Sequence, residues 1–136
     1  MASSAAALDL SSSYLRLRPD VSIEPLAVDG TFWERLGSGQ LGDFRNEYLV
    51  ITHECAQDWS FWEMHPKGDE VVCLLSGSLD FVLEMGREER RVSLEKAGQF
   101  VLVPKGIWHT AKVAEPSRLL FIAAGEGTQH RPLAGT

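Results

Sequence analysis

Between Glu47 and Ala124, clusters of Pro, Gly, Ser and Asp divide the chain into short runs rich in β-branched and aromatic residues. Pro66-Lys67-Gly68-Asp69, Ser76-Gly77-Ser78, Gly86 to Glu89, Gly98 and Pro104-Lys105-Gly106 all carry turn chemistry, since Gly reaches positive φ freely and Pro presets the first turn position. Runs this short make poor helices, because an isolated helix is marginal in water below roughly 12 residues. The strands expected are Glu47 to Cys55, Trp59 to His65, Glu70 to Leu75, Leu79 to Met85 with Arg90 to Leu94 as its hairpin partner, Gln99 to Val103, Ile107 to Val113 and Arg118 to Ala124. Ser76-Gly77-Ser78 reads as a chain reversal and Glu115-Pro116-Ser117 as a break between strands. Val21 to Val28, interrupted by Pro25, reads as an edge strand, and Gly30 to Gly37 has room for one helical turn around Phe32, Trp33 and Leu36. Many short strands at this spacing point to an all-β sandwich or barrel.

The remaining bulk properties narrow the classes of function. With 136 residues the chain fits one domain, and 44% hydrophobic against 24% charged residues is the balance of a packed soluble fold. The net charge of -6, with no long basic cluster, argues against nucleic acid as a partner. Val71 to Leu75 and Leu119 to Ala124, the longest apolar runs, are far below the roughly 20 residues that cross a bilayer, so no membrane span is expected. The Ala- and Ser-rich stretch Met1 to Ser13 lacks a basic leader and reads as a flexible tail ahead of a domain at 14–136, which has N-terminal framing strands and a C-terminal extension. Cys55 and Cys73 have no CxxC spacing and read as core-facing thiols in a reducing cytoplasm.

Alternation along a strand places Phe61, Glu63 and His65 on one face and Trp62 and Met64 on the other. The Pro66 to Asp69 turn brings the next strand back with Glu70 near that pair, while His109 must arrive from a distant strand. Glu63-Met64-His65, four residues, Glu70, six residues and Gly77 resembles the first motif of the cupin superfamily. Gly98, five residues, Pro104-Lys105-Gly106, two residues and His109 resembles its second motif, with twenty residues between Gly77 and Gly98. The resemblance implies an all-β, single-domain double-stranded jelly-roll β-barrel with a ligand cavity, a homodimer, and a site for one divalent metal ion at Glu63, His65, Glu70 and His109.

Two positions depart from that pattern: Glu63 stands where histidine is usual, and Val113 where asparagine is usual. A carboxylate also ligates Mn, Fe, Co, Ni and Zn, and two glutamates with two neutral imidazoles balance a divalent charge, which makes the ion a weaker Lewis acid than a three-histidine site would. Glu63 is therefore a candidate ligand, a group that supports the ligands without touching the ion, a candidate catalytic base beside a three-ligand ion, or part of a site that has lost its metal. His53 reads as a polar sheet residue, and His130, in Gly127-Thr128-Gln129-His130, as solvated rather than covering a cavity mouth. Trp59, Phe61, Trp62, Phe100 and Trp108 read as sheet packing, with Phe61 the best candidate to line a substrate pocket.

Such a site fits a metal-dependent enzyme acting on a small apolar or aromatic molecule. Mixed carboxylate and imidazole ligation suits redox-active ions, so an iron or manganese oxygenase leads, with Zn, Ni and Co as other occupants and a non-redox isomerase or hydrolase as a variant. A non-catalytic small-ligand binding or sensory module is the alternative from another class.

Overall fold

The structure is a computed structural model and describes residues 6–133; the start of the expected N-terminal tail and the last three residues lie outside it. The chain begins with an antiparallel pair, β1 (Ser13–Leu17) and β2 (Ile23–Ala27), followed by a short helix α1 (Phe32–Gly37). Pro25 of β2 pairs with Leu15, and among the described residues β2 has no strand on its other side, where a proline is tolerated. Phe32 of α1 is fully buried and meets Tyr14 edge-to-face with ring centroids 5.0 Å apart, while Trp33 is exposed.

The strands that follow are β3 (Tyr48–Cys55), β4 (Phe61–Met64), β5 (Glu70–Met85), β6 (Glu88–Leu94), β7 (Phe100–Val103), β8 (His109–Ala124) and β9 (Gln129–Pro132). Two reversals expected from the sequence are instead bends within continuous strands. β5 runs through Ser76-Gly77-Ser78, and β8 runs through Glu115-Pro116-Ser117 opposite it, with the register slipping between Leu74 and Leu79. Gly77 sits at φ +90°, and a Cβ there would collide with Ser117 and the Pro116 carbonyl. The glycine therefore kinks the strand rather than turning it back, and the Ser117 hydroxyl closes the irregularity by donating to the Glu115 carbonyl at 2.8 Å.

This bend makes the jelly roll. The first half of β5 and the second half of β8 pair with β7 and β3 in one layer, while their other halves pair with β6 and β4 in a second. Val72, Leu74, Val101, Leu119 and Phe121 of the first layer pack against Leu79, Phe81, Leu83, Leu94 and Ala111 of the second as one buried cluster. Burying a side chain as large as Phe81 is worth about 3 kcal/mol. The all-β architecture is as expected, but the hydrogen bonding does not close into a barrel: among the described residues β2, β6, β7 and β9 each keep a single partner. Pro25 blunts one open edge and the charged run Glu88 to Arg91 another.

β1 falls within the expected N-terminal framing strands, although its alternation Leu15-Arg16-Leu17-Arg18 is inverted, with Tyr14 and Arg16 buried; β9 was not expected, since it carries no apolar alternation. Phe100, expected to pack between the sheets, faces outward at 56% exposure because Val101 and Val103 take the inward face of β7. Cys55 packs at the edge of the core, Cys73 is only part-buried on the outer face of β5, and both are free thiols. Among the described residues no helix is long and apolar enough to cross a membrane.

Candidate metal centre

Glu63, His65, Glu70 and His109 come together between the layers, each offering one ligand atom and all four atoms within 4.8 Å of one another. Glu63 on β4 pairs directly with His109, the first residue of β8, and His109 is flanked on its other side by Leu83 of β5. His65 lies just past the end of β4, and Glu70 opens β5 across the Pro66–Asp69 turn. The second turn is tied to the first by two backbone amides: Gly106 donates to the His65 carbonyl at 3.0 Å, and Lys105 donates to Asp69 Oδ1 at 2.8 Å. Those links fix the separation of two segments that are remote in sequence.

The donor atoms converge on a common point. Glu63 Oε1 is 3.3 Å from His65 Nε2 and 3.5 Å from His109 Nε2, while Glu70 places Oε2 3.5 Å from His65 Nε2 and Oε1 3.0 Å from His109 Nε2. Ligands about 2.1 Å from one ion stand about 3.0 to 3.4 Å apart at octahedral or tetrahedral angles, so the donor spacing fits a single divalent ion. The decisive observation is that His65 Nε2, Glu70 Oε1 and His109 Nε2 are buried without an aligned hydrogen-bond partner. With Glu70 oxygens 3.0 and 3.5 Å from the two imidazole nitrogens, these buried groups either pair as ions, with protons on the imidazoles, or converge on a cation that completes all of them.

The imidazole tautomers suit that role. His109 Nδ1 lies 3.1 Å from the Ile107 carbonyl, which only accepts, so the ring proton sits on Nδ1 and Nε2 presents its lone pair. His65 Nδ1 is 3.0 Å from Thr128 Oγ1, an arrangement that likewise turns Nε2 inward. Without a metal the four groups form a mutually charged cluster. Burial alone would depress both imidazoles, but the neighbouring Glu63 and Glu70 carboxylates outweigh it and raise His65 to about 9 and His109 to about 10. For Glu63 burial works the other way, yet the His109 and His65 rings hold its carboxyl far below the usual carboxylate range.

An aromatic wall stands beside the cluster. Phe61 stacks on Trp59 with centroids 5.1 Å apart, and Trp59 lies 6.3 Å from the His109 ring, 5.5 Å from Phe81 and 6.2 Å from Phe121. Phe61, expected from the sequence to line a pocket, is half-buried, and the His130 ring lies 5.2 Å from it. His53 is exposed on β3 and away from the cluster. His130, read as solvated, is half-exposed yet donates from Nε2 to Glu63 Oε2 at 3.0 Å. Sequence pattern missed Thr128, His130, Phe81 and the Ile107 carbonyl; the alternation Leu79, Phe81, Leu83 was the available signal for Phe81, whereas a backbone carbonyl leaves no trace in composition.

No protein-family model matches the chain, and no curated protein sequence does. Solved structures do share its architecture. A cupin-2 domain protein from Shewanella frigidimarina is 22% identical over 59% of this chain and 72% of its own, with a TM-score of 0.48. The hydroquinone 1,2-dioxygenase of Sphingomonas sp. TTNP3, solved with 4-hydroxybenzoate bound, is 18% identical over 59% of this chain and 60% of its own, with a TM-score of 0.51. The Bacillus subtilis oxalate decarboxylase, described for its Mn(II) centres, is 20% identical over 64% of this chain and 23% of its own, with a TM-score of 0.50. The matched region is therefore three fifths of the dioxygenase chain and under a quarter of the decarboxylase chain. At these identities the likeness is one of fold, and the fold is that of the cupins.

Proposed function

We propose that this chain is a metal-dependent enzyme that holds one iron or manganese ion on Glu63, His65, Glu70 and His109 and oxygenates a small apolar or aromatic molecule. The observation that carries the reading is the convergence of four buried or half-buried ligand atoms within 4.8 Å of one another, of which His65 Nε2, Glu70 Oε1 and His109 Nε2 make no aligned hydrogen bond, beside an aromatic wall. The presence of a dioxygenase and a Mn(II) decarboxylase among proteins of the same fold supports the choice of ion and of an aromatic substrate. When bound, such an ion supplies redox chemistry with dioxygen and polarises oxygen atoms of a substrate.

The protein's own share follows from the geometry. Two carboxylates and two neutral imidazoles balance a divalent charge, so the filled site leaves no net charge to stabilise between the sheets. Trp59, stacked against both Phe61 and Phe121, backs an apolar wall on which Phe61 lies next to the His130 ring, and this wall keeps water from that side of the cluster. Glu63 is the least buried of the four, with 18% of its side chain exposed, so a substrate reaches the cluster most readily from its side.

The exposed apolar residues Phe100 and Leu102 of β7 are the proposed contact for a second copy of the chain, and a reducing cytoplasm suits the free thiols Cys55 and Cys73. The test of function is metal content after anaerobic purification, followed by oxygen uptake by iron- or manganese-loaded protein against a panel of aromatic and dicarbonyl compounds. Bound metal lost in His65→Ala and His109→Ala, with oxygen consumed, is the expected result. A parent protein that cannot be loaded overturns the metal reading. Turnover without oxygen uptake replaces the oxygenase by an isomerase or hydrolase, and loading without turnover leaves a binding module.

A further inference from the structure

The C-terminal segment is the part of the site that neither strand alternation nor the two motifs account for. After β8 the chain passes through Gly125 and Gly127, where space is short: a Cβ on Gly125 would lie 2.8 Å from the Phe44 ring, and Gly127 sits at φ +76° against Pro66. It then runs antiparallel along β4, pairing Gln129 with Met64, His130 with Glu63, Arg131 with Trp62 and Pro132 with Phe61. Directly opposed residues share a face of the sheet, so the register alone puts His130 beside Glu63 and Arg131 beside Trp62.

Both faces of this strap are engaged. On one, the Arg131 guanidinium lies over Trp62 at 5.4 Å and Trp108 at 4.5 Å and pairs with Glu84. On the other, His130 donates to Glu63 Oε2 at 3.0 Å, and Thr128, just before the strand, bonds His65 Nδ1 at 3.0 Å. Two of the four candidate ligands are thus oriented by one short segment that contributes no ligand itself. With Oε2 held outward by His130, Glu63 has only Oε1 to direct at the imidazoles. With Nδ1 held by Thr128, His65 has only Nε2 to offer.

We infer that residues 127–132 form a positioning strap, in which Thr128 and His130 aim His65 Nε2 and Glu63 Oε1 at the metal while Arg131 pins the segment to β4. This inference rests on the metal-centre reading above. Outer hydrogen bonds of this kind commonly change metal affinity by roughly 10- to 100-fold when removed. The His130 contact lies at the more exposed side of the cluster, where His130 keeps 54% of its side-chain surface, and the Thr128 contact is part-buried beside His65.

The experiment is a titration with Co(II), followed by its visible absorption, on the full chain and four variants. Thr128→Val removes the hydroxyl at nearly constant shape and Thr128→Ser restores it; His130→Phe keeps a ring against Phe61 without a donor, and His130→Gln returns an N–H. The expected result is that Thr128→Val and His130→Phe each weaken Co(II) binding about 10-fold or more and alter the visible band, while Thr128→Ser and His130→Gln stay near the parent. Parent-like affinity and spectrum in Thr128→Val and His130→Phe would overturn the strap while leaving the metal centre standing. Equal losses in all four variants would also overturn it, since shape and not hydrogen bonding would then be responsible. A parent that takes up no Co(II) removes the metal-centre reading itself, and the strap with it.

Discussion

His109 Nε2 and Glu70 Oε1 stand 3.0 Å apart at the most buried point of the site, and neither makes an aligned hydrogen bond. The pair is charged, almost wholly withdrawn from water and held by strands from different parts of the chain, β8 and β5. Removing one partner leaves the other with only a longer 3.5 Å ion pair, His109 to Glu63 or Glu70 to His65, which costs about 3 kcal/mol, whereas replacing both by apolar residues is often neutral. In chelator-treated protein, His109→Leu and Glu70→Leu should each lose stability on that scale, and the double variant should recover most of it. Urea unfolding decides this; additive losses in the double variant would show that the two groups do not depend on each other.

The metal-free protein should lose stability as the solution becomes alkaline. His65 and His109 have folded values of about 9 and 10 against an ordinary 6.5, so their contribution is fully present below about pH 6.5 and disappears as pH rises through 9 to 10. Glu63, depressed in the fold, contributes above its ordinary 4.5 and loses that contribution as pH falls. Calorimetry in the presence of a chelator should therefore show a melting temperature highest between about pH 4.5 and 6.5 and falling by several degrees toward pH 10. A flat profile from pH 7 to 10 would contradict the charged cluster.

Gly77 carries the bend of β5, at φ +90° with no space for a Cβ beside Ser117 and Pro116. Gly77→Ala should cost about 2 kcal/mol or more, from strain at positive φ together with the collision. Gly86 is at φ +69° with open space around it, so Gly86→Ala bears only the backbone part and should cost less. Denaturant midpoints compare the two directly, and an equal or smaller loss at Gly77 would remove the steric account of the bend.

Trp59 lies 6.3 Å from the His109 ring, whereas Trp33 is exposed on α1. A paramagnetic ion in the site should therefore quench tryptophan emission, with Trp59→Phe abolishing the largest share of the effect and Trp33→Phe none of it. Quenching that survives Trp59→Phe undiminished would place the ion elsewhere.

The outward residues Phe100 and Leu102 are 56% and 60% exposed on neighbouring alternate positions of β7. If a second copy covers them, Phe100→Lys with Leu102→Lys should convert a dimer to a monomer in light scattering with little change in melting temperature per chain. A parent that is monomeric at all accessible concentrations would dispose of that partner.

Much of the site could be read from local chemistry. Alternation alone puts Glu63 and His65 on one face, and Pro66 to Asp69 is turn chemistry whatever the rest of the chain does. The edge position of β2 follows from Pro25, a residue that cannot donate to a ladder. Where the reading failed, the same residue types had two outcomes. Gly77 at positive φ serves a reversal or a bulge equally well, and the choice was made by Ser117 and Pro116 from β8, about 40 residues away.

The sequence by itself determined the all-β class and the short turn-bounded strands, because turn preference and side-chain alternation are properties of neighbouring residues, and the four residues able to ligate a cation were implied by the resemblance of two spaced motifs to those of the cupins. Only the tertiary structure decided that His109 meets Glu70, that Trp59 and Phe61 form a wall beside them, and that Thr128 and His130 hold His65 and Glu63. Those relationships depend on which strands pair and in what register. Pairing is set by burying one core between two bent layers, a condition on the whole chain that no local window contains.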